Sequence, residues 1–260
     1  MAIVLTIGGM DTWGGGGIGT DIKAIEDTGA FALSVITCVA TTDPQTGFKI
    51  HSIDPQVVED QLKTIKESFI LDAIKIGLLP NPQIIDLVIS FIDTQTCPIV
   101  VDPVMAFKET KEDLSEFRAD MDRLIKGSTI STPNLQEAAI LTATPEINNI
   151  QAVKRVASQY FQQYESPVLI KGGSRLAGPL ALELLYDGQD FQSFEKEKLS
   201  SITVNGAGCA LSSYLAAYLA QGQSLKAAIV HSKEKVYQAI KGGLSHSGQV
   251  QGNVWNRREQ

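Results

Sequence analysis

Short apolar runs alternate with segments of helical period along most of this chain, and that alternation constrains its fold more than any other feature. The runs fall at residues 3–7, 31–40, 73–78, 98–104 and 167–173. A run that stays apolar at successive positions hides both of its faces, as a central strand of a parallel sheet does. Between the runs, apolar spacing predicts helices from Ile18 until Gly29 stops the turn, and over 56–66, 82–93, 114–125, 135–142 and 150–164. Asp43-Pro44 opens a loop that contains Gly47, and Ser52-Ile53-Asp54-Pro55 introduces the helix after it. Residues 181–186 and 191–194 flank Asp187-Gly188, a strong hairpin signal. Strands alternating with helices predict an α/β protein whose mostly parallel central sheet is covered by helices on both faces. No linker or repeat interrupts the pattern, so residues 1–260 read as a single domain.

Near the end of the chain, Thr203-Val204-Asn205-Gly206-Ala207-Gly208-Cys209 runs into the Ala/Leu-rich helix former Ala210-Leu211-Ser212-Ser213-Tyr214-Leu215. A glycine turn entering a helix aims unpaired N–H groups at one point, and the helix dipole favours negative charge there, most often phosphate. Cys209 stands at that entry, where a thiol ionises more readily than in water. A base beside an anion cradle is what phosphoryl transfer to a hydroxyl requires. The competing reading is a glycine turn before a core helix, with Cys209 as a small apolar filler.

In open α/β sheets, ligands bind beyond the C-terminal ends of the strands. Gly8-Gly9, Asp102, Asn134 with Glu137, and Lys171-Gly172-Gly173 are all expected there. Asp102 either caps its strand or holds Mg²⁺ through water, because hard cations take carboxylate and phosphate oxygens. Asn134 caps a helix, or faces phosphates and metal together with Glu137. Lys171, at a strand end, needs a partner such as a nucleotide phosphate or a carboxylate. Lys108 sits in a charged loop, as a solvated residue or as one that closes over phosphates. Gly14-Gly15-Gly16-Gly17-Ile18-Gly19 satisfies GxGxxG, yet it begins well past the strand end, so a dinucleotide fingerprint is disfavoured. Trp13 beside it either stacks on a ring or packs.

Composition excludes several classes. A net charge of −7 without a dense basic block speaks against nucleic acid or an anionic membrane as partner. Three dispersed cysteines, with no CxxC pair, give neither a disulfide framework nor a zinc site and point to a reducing cytoplasm. No signal peptide or membrane span is expected.

Taken in order, several pieces resemble the ribokinase-type superfamily, in its vitamin-kinase branch of pyridoxal kinases and hydroxymethylpyrimidine (phosphate) kinases. They are Gly8-Gly9-Met10-Asp11 with Asp21-Ile22-Lys23, Lys75-Ile76-Gly77-Leu78-Leu79, Val101-Asp102-Pro103-Val104-Met105 with Lys108, Thr132-Pro133-Asn134-Leu135-Gln136-Glu137-Ala138, Lys171-Gly172-Gly173, and Asn205-Gly206-Ala207-Gly208-Cys209. The resemblance implies an ATP- and Mg²⁺-dependent kinase acting on a hydroxymethyl group of a small heteroaromatic ring, in a cytoplasmic homodimer. It implies that Gly206, Ala207, Gly208 and Cys209 form the anion hole, with Cys209 as the base. Asn134, Glu137, Lys171, Lys108 and Glu183 would serve ATP, and Asp102 and Glu137 its magnesium. Gly9, Gly16 and Asp21 would line the ring pocket.

Where hydroxymethylpyrimidine kinases usually carry Gln after the second strand, Thr41-Thr42-Asp43 stands here. With Ala207 and the tail Asn256-Arg257, this favours the bacterial pyridoxal kinases and adds Thr42 and Asp43 to the ring pocket. Asn205 replaces a common His, Phe107 replaces a lid Cys of some relatives, and Met10 and Trp13 stand where small polar residues are usual. The alternatives are the pyrimidine kinase of thiamine synthesis and a catalytically silent binder of a ring metabolite.

Overall fold

The computed structural model describes residues 1–43, 45, 47–105, 114–145, 147–201, 203–245 and 252–255. In chain order the elements are β1 (Ile3–Asp11), α1 (Gly17–Asp27), β2 (Phe31–Asp43), β3 (Gly47–Ser52), α2 (Pro55–Ser68), β4 (Ala73–Ile76), α3 (Pro82–Ile92) and β5 (Ile99–Val101). Then follow α4 (Leu114–Lys126), β6 (Ile130–Ser131), α5 (Leu135–Leu141), α6 (Ile150–Tyr164), β7 (Val168–Gly173), β8 (Leu180–Tyr186), β9 (Phe191–Glu197), α7 (Ala207–Ala220) and α8 (Leu225–Lys241). Contacts divide the chain into two compact units, Met1–Val100 with Ser200–Gln260, and Val101–Leu199.

In the first unit the strand order is β3-β2-β1-β4-β5, with β1 parallel to both β2 and β4. Residues 4–9 of β1 and all of β4 are buried, as expected of strands covered on both sides. α1 and α7 pack on each other and on β1, while α2 packs on α3 and β2. In the second unit the order is β6-β7-β8-β9, with β6 parallel to β7 and an antiparallel run from β7 to β9. The α/β class and the mostly parallel sheet expected from the sequence are therefore present, and the 187–188 turn joins the expected hairpin.

The stretch after Asp43 departs from expectation. Instead of a loop, β2 continues to Asp43 and returns as β3, antiparallel, across a turn with Gly47 at φ +79°. β3 is an almost fully exposed edge strand, so it offers no apolar run to read. Its one signal is the alternation of Phe48 and Ile50 with Lys49 and His51.

How each helix begins matters for the site. Asp54, Asn81, Asn134, Asn149 and Ser224 cap α2, α3, α5, α6 and α8 by accepting a first-turn N–H. By contrast, α1 and α7 start from glycines, Gly16 and Gly206, and neither N-cap supplies a side-chain bond. Among the described residues no helix is long and apolar enough to cross a membrane.

Candidate active site

In the first unit, a loop of glycines is folded around one carboxylate. Asp11 Oδ1 accepts the Trp13 N–H at 3.0 Å, and Oδ2 accepts those of Gly15 and Gly16, each at 3.0 Å. The loop so formed lies directly on the turn that opens α7. Gly206 has φ +84°, and a Cβ built on it would stand 1.9 Å from the Gly15 carbonyl oxygen. No other residue type fits there without moving one of the two segments. One turn into the helix, Cys209 Sγ lies 3.7 Å from where a Cβ on Gly16 would be. A helix start whose glycine N-cap offers no side chain, a thiol and a bare backbone loop are thus packed together, a setting suited to an anion.

Beneath this surface a buried ion pair ties four elements together. Asp21 of α1 and Lys75 of β4 are fully buried and 2.7 Å apart. Asp21 also accepts from Thr6 of β1 at 2.7 Å and from Ser213 of α7 at 2.8 Å. A buried pair of this kind adds little net stability, because removing two charges from water offsets their attraction. What it does fix is geometry: α7 and α1 meet on one carboxylate below the glycine turn.

The second unit carries a site built from charge. Lys171 Nζ of β7 donates to Asp102 Oδ1 at 2.5 Å, where Thr132 Oγ1 also donates at 3.4 Å. The Lys171 and Asp102 side chains are both largely buried, at 12% and 2% exposure. Glu137 lies in the first turn of α5, in a capping box with Asn134. Asn134 Oδ1 takes the N–H groups of Gln136 and Glu137, and Glu137 Oε2 takes the N–H of Asn134 at 2.7 Å. Burial pushes the Glu137 carboxyl up to about 7; Lys171 pulls it down and the Asp102 charge raises it again. Glu183 of β8 is buried and stands opposite Lys171 in the β7/β8 register, which puts it on the same face.

The chain matches the phosphomethylpyrimidine kinase family over residues 11–255. It is 36% identical to the hydroxymethylpyrimidine/phosphomethylpyrimidine kinase of Aquifex aeolicus over 242 residues, covering 92% of this chain and 94% of that one. The chain belongs to the phosphomethylpyrimidine kinase family. Among solved structures, the Bacillus subtilis pyridoxal kinase in its ADP complex superposes with a TM-score of 0.92 at 32% identity, covering 98% of this chain and 97% of that one. The phosphomethylpyrimidine kinase of Clostridium difficile gives 0.77 at 30% identity, covering 92% and 100%.

Against this family background, the residues expected from the sequence fall into two groups. Gly16, Gly206, Ala207, Gly208 and Cys209 come together in the first unit, and Asp102, Asn134, Glu137, Lys171 and Glu183 in the second. Asp21 and Gly9, both expected to line the ring pocket, are buried. Asp21 points into the core, its carboxylate committed to Thr6, Lys75 and Ser213, because Lys75 inside an apolar strand must be neutralised. Gly9 is buried in β1, and the space a side chain would take there is filled by Cys38 Sγ and Leu78. Thr42 and Asp43 are exposed at the end of β2, and Asp43 Oδ1 accepts the Gln45 N–H at 2.8 Å. Trp13 is half exposed beside the loop. Lys108 and Phe107 lie outside the described residues.

Sequence reasoning assigned no role to Asp11, Lys75 or Ser213. A lysine inside a short apolar strand was the available signal for the buried pair. An acid just before a glycine run was the signal for the loop.

Proposed function

We propose that this protein is an ATP-dependent kinase that phosphorylates the 5′-hydroxymethyl group of pyridoxal and its vitamers. The observation that carries this reading is the start of α7, whose glycine N-cap offers no side chain, with Cys209 Sγ against the glycine loop, in a member of this kinase family. The N–H groups of the first turn of α7 would hold the oxygens of the transferred phosphoryl group. Cys209 Sγ would take the proton of the substrate hydroxyl as its oxygen attacks the terminal phosphorus and the bond to the ADP oxygen breaks.

In the second unit, Lys171 would meet a nucleotide phosphate. Asp102 and Glu137 fit a magnesium ion: both are hard oxygen donors, and their two acids face one lysine in a buried setting. Bound there, the metal would neutralise phosphate charge, with water and phosphate completing its shell, since the described residues hold no cluster of three or more His, Cys, Asp or Glu ligands. The single-domain organisation and a homodimer belong to the same reading, and light scattering of the purified protein tests the dimer.

Pyridoxal is preferred over the pyrimidine because the fold agrees more closely with the pyridoxal kinase than with the phosphomethylpyrimidine kinase. The pyrimidine reading keeps two observations in its favour, the family model that matches over residues 11–255 and the identity to the Aquifex relative. ADP release with Mg·ATP against pyridoxal, pyridoxine and hydroxymethylpyrimidine in parallel decides between them. Turnover on the pyridoxal group is expected. Turnover on the pyrimidine alone would transfer the assignment, and tight ring binding without any turnover would leave a silent binder.

A further inference from the structure

The C-terminal segment, residues 252–255, closes over the glycine site as a backbone strap. Asn205 N–H donates to the Gly252 carbonyl at 3.0 Å, and Val254 N–H to the Asn205 carbonyl at 3.0 Å. On the other edge, Asn253 and Leu244 exchange both of their backbone bonds, at 2.8 and 2.9 Å. The Asn253 backbone is therefore held from two sides, and its side chain is presented to the glycine loop.

The Asn253 carboxamide Nδ2 donates to the Trp13 carbonyl at 3.0 Å, across the glycine loop. Its Oδ1 is buried and takes no hydrogen bond from another protein group, the single such side-chain atom among the described residues. It lies 2.8 Å from where a Cβ on Gly15 would stand, and that same point is 3.3 Å from both Asn205 Cβ and Asp11 Oδ2. Gly15 is thus wedged between the strap, the turn and its own organising carboxylate.

We propose that Asn253 is a positioning residue for phosphoryl transfer: its N–H pins the glycine loop onto the turn at Asn205 and Gly206, and so sets the place of Gly16 against Cys209 Sγ. The proposal rests on the kinase reading above. It predicts that losing the Nδ2 donor frees the loop. Asn253→Ala, which removes that donor, releases the loop with little change in thermal stability. Asn253→Asp, which puts a carboxylate oxygen against the Trp13 carbonyl and near Asp11, disturbs the loop more.

The test uses the full chain and two readouts. Amide hydrogen exchange, followed by mass spectrometry, reports order in residues 10–18 and, as an internal reference, in α7. Steady-state kinetics on the ring alcohol accepted by the wild-type protein reports the step. Expected for Asn253→Ala are faster exchange in 10–18 alone and a kcat lowered roughly tenfold or more, with KM for ATP unchanged, since small misplacements weigh on the oriented step; Asn253→Asp falls further. Wild-type exchange in the loop of both variants overturns the proposal, and so does a released loop with an unchanged kcat. A wild-type protein that turns over none of the ring alcohols instead sinks the kinase reading, and the catalytic half of this proposal with it, while the exchange data still decide whether Asn253 pins the loop.

Discussion

The glycine site of the first unit and the charged site of the second are made from opposite materials. The first is almost all backbone: glycines at 15, 16 and 206, one thiol, and a carboxylate spent on holding a loop. The second is three buried ionisable groups, Asp102, Glu137 and Lys171, around the first turn of a capped helix. A site defined by missing side chains gets its shape from the backbone, and Cys209 is the group in it that would exchange a proton. A site defined by charge tolerates small shifts but responds to protons and metal. Phosphoryl transfer needs both qualities, position at the reacting atoms and charge at the nucleotide.

That contrast can be broken at several points, and the largest effect is expected at the thiol. Cys209→Ala should lower kcat by about a hundredfold or more while leaving ATP binding intact, as for loss of a general base. Near-normal turnover with equilibrium ATP affinity unchanged would remove Cys209 from that role.

Gly206→Ala attacks shape alone. Its φ of +84° and the Gly15 carbonyl 1.9 Å from the new methyl both resist it. The left-handed conformation by itself costs about 1–3 kcal/mol, and kcat should fall roughly tenfold to a hundredfold as the loop is displaced. Thermal unfolding and turnover measured on the same preparation check both halves. An unaffected variant would mean that loop and turn move apart freely.

Lys171→Met belongs to the charged site. It leaves Asp102 and Glu137 facing each other and should cost about 3 kcal/mol of stability, as when one partner of a buried pair is removed. KM for ATP should rise more than kcat falls, which a pair of substrate titrations reads directly.

The smallest and most diagnostic effect is in pH. The Glu137 carboxyl titrates near 7 in the fold, against an ordinary value of 4.5. Because the folded value is the higher one, the neutral carboxyl contributes stability that is full below about 4.5 and is lost as pH rises toward 7. Glu137→Gln should flatten that part of the stability profile in urea titrations, and a slope identical to wild type would refute it. Binding of Mg·ATP near pH 6.5 should release a proton from the wild-type protein and not from the variant, a difference calorimetry in buffers of unlike ionisation heat would show.

How far the sequence reached follows the same division. Apolar runs and helical spacing are local, so the starts of the buried strands and the whole of α6 could be read to within a residue, whereas β1 and β2 run three or four residues past the expected ends and β5 stops three short. β3 could not, because an exposed edge strand has no burial pattern to betray it. At the site, Gly206 and Cys209 were legible because a glycine turn before a helix has one strong physical use. Asn134 was legible as a cap because a cap bonds only to near neighbours in the chain, and the structure adds Glu137 to it as a capping box.

The sequence by itself determined the α/β alternation, the helix starts and the types of residue available for phosphate, proton and metal. Only the tertiary structure decided that Asp21 pairs with Lys75, that Gly9 makes room for Cys38, and that Asn253 reaches back to Trp13. Each of those depends on contacts between residues far apart in the chain. Periodicity and propensity report a residue's neighbours along the chain, whereas a buried charge or an amide finds its partner only when the chain has folded around it.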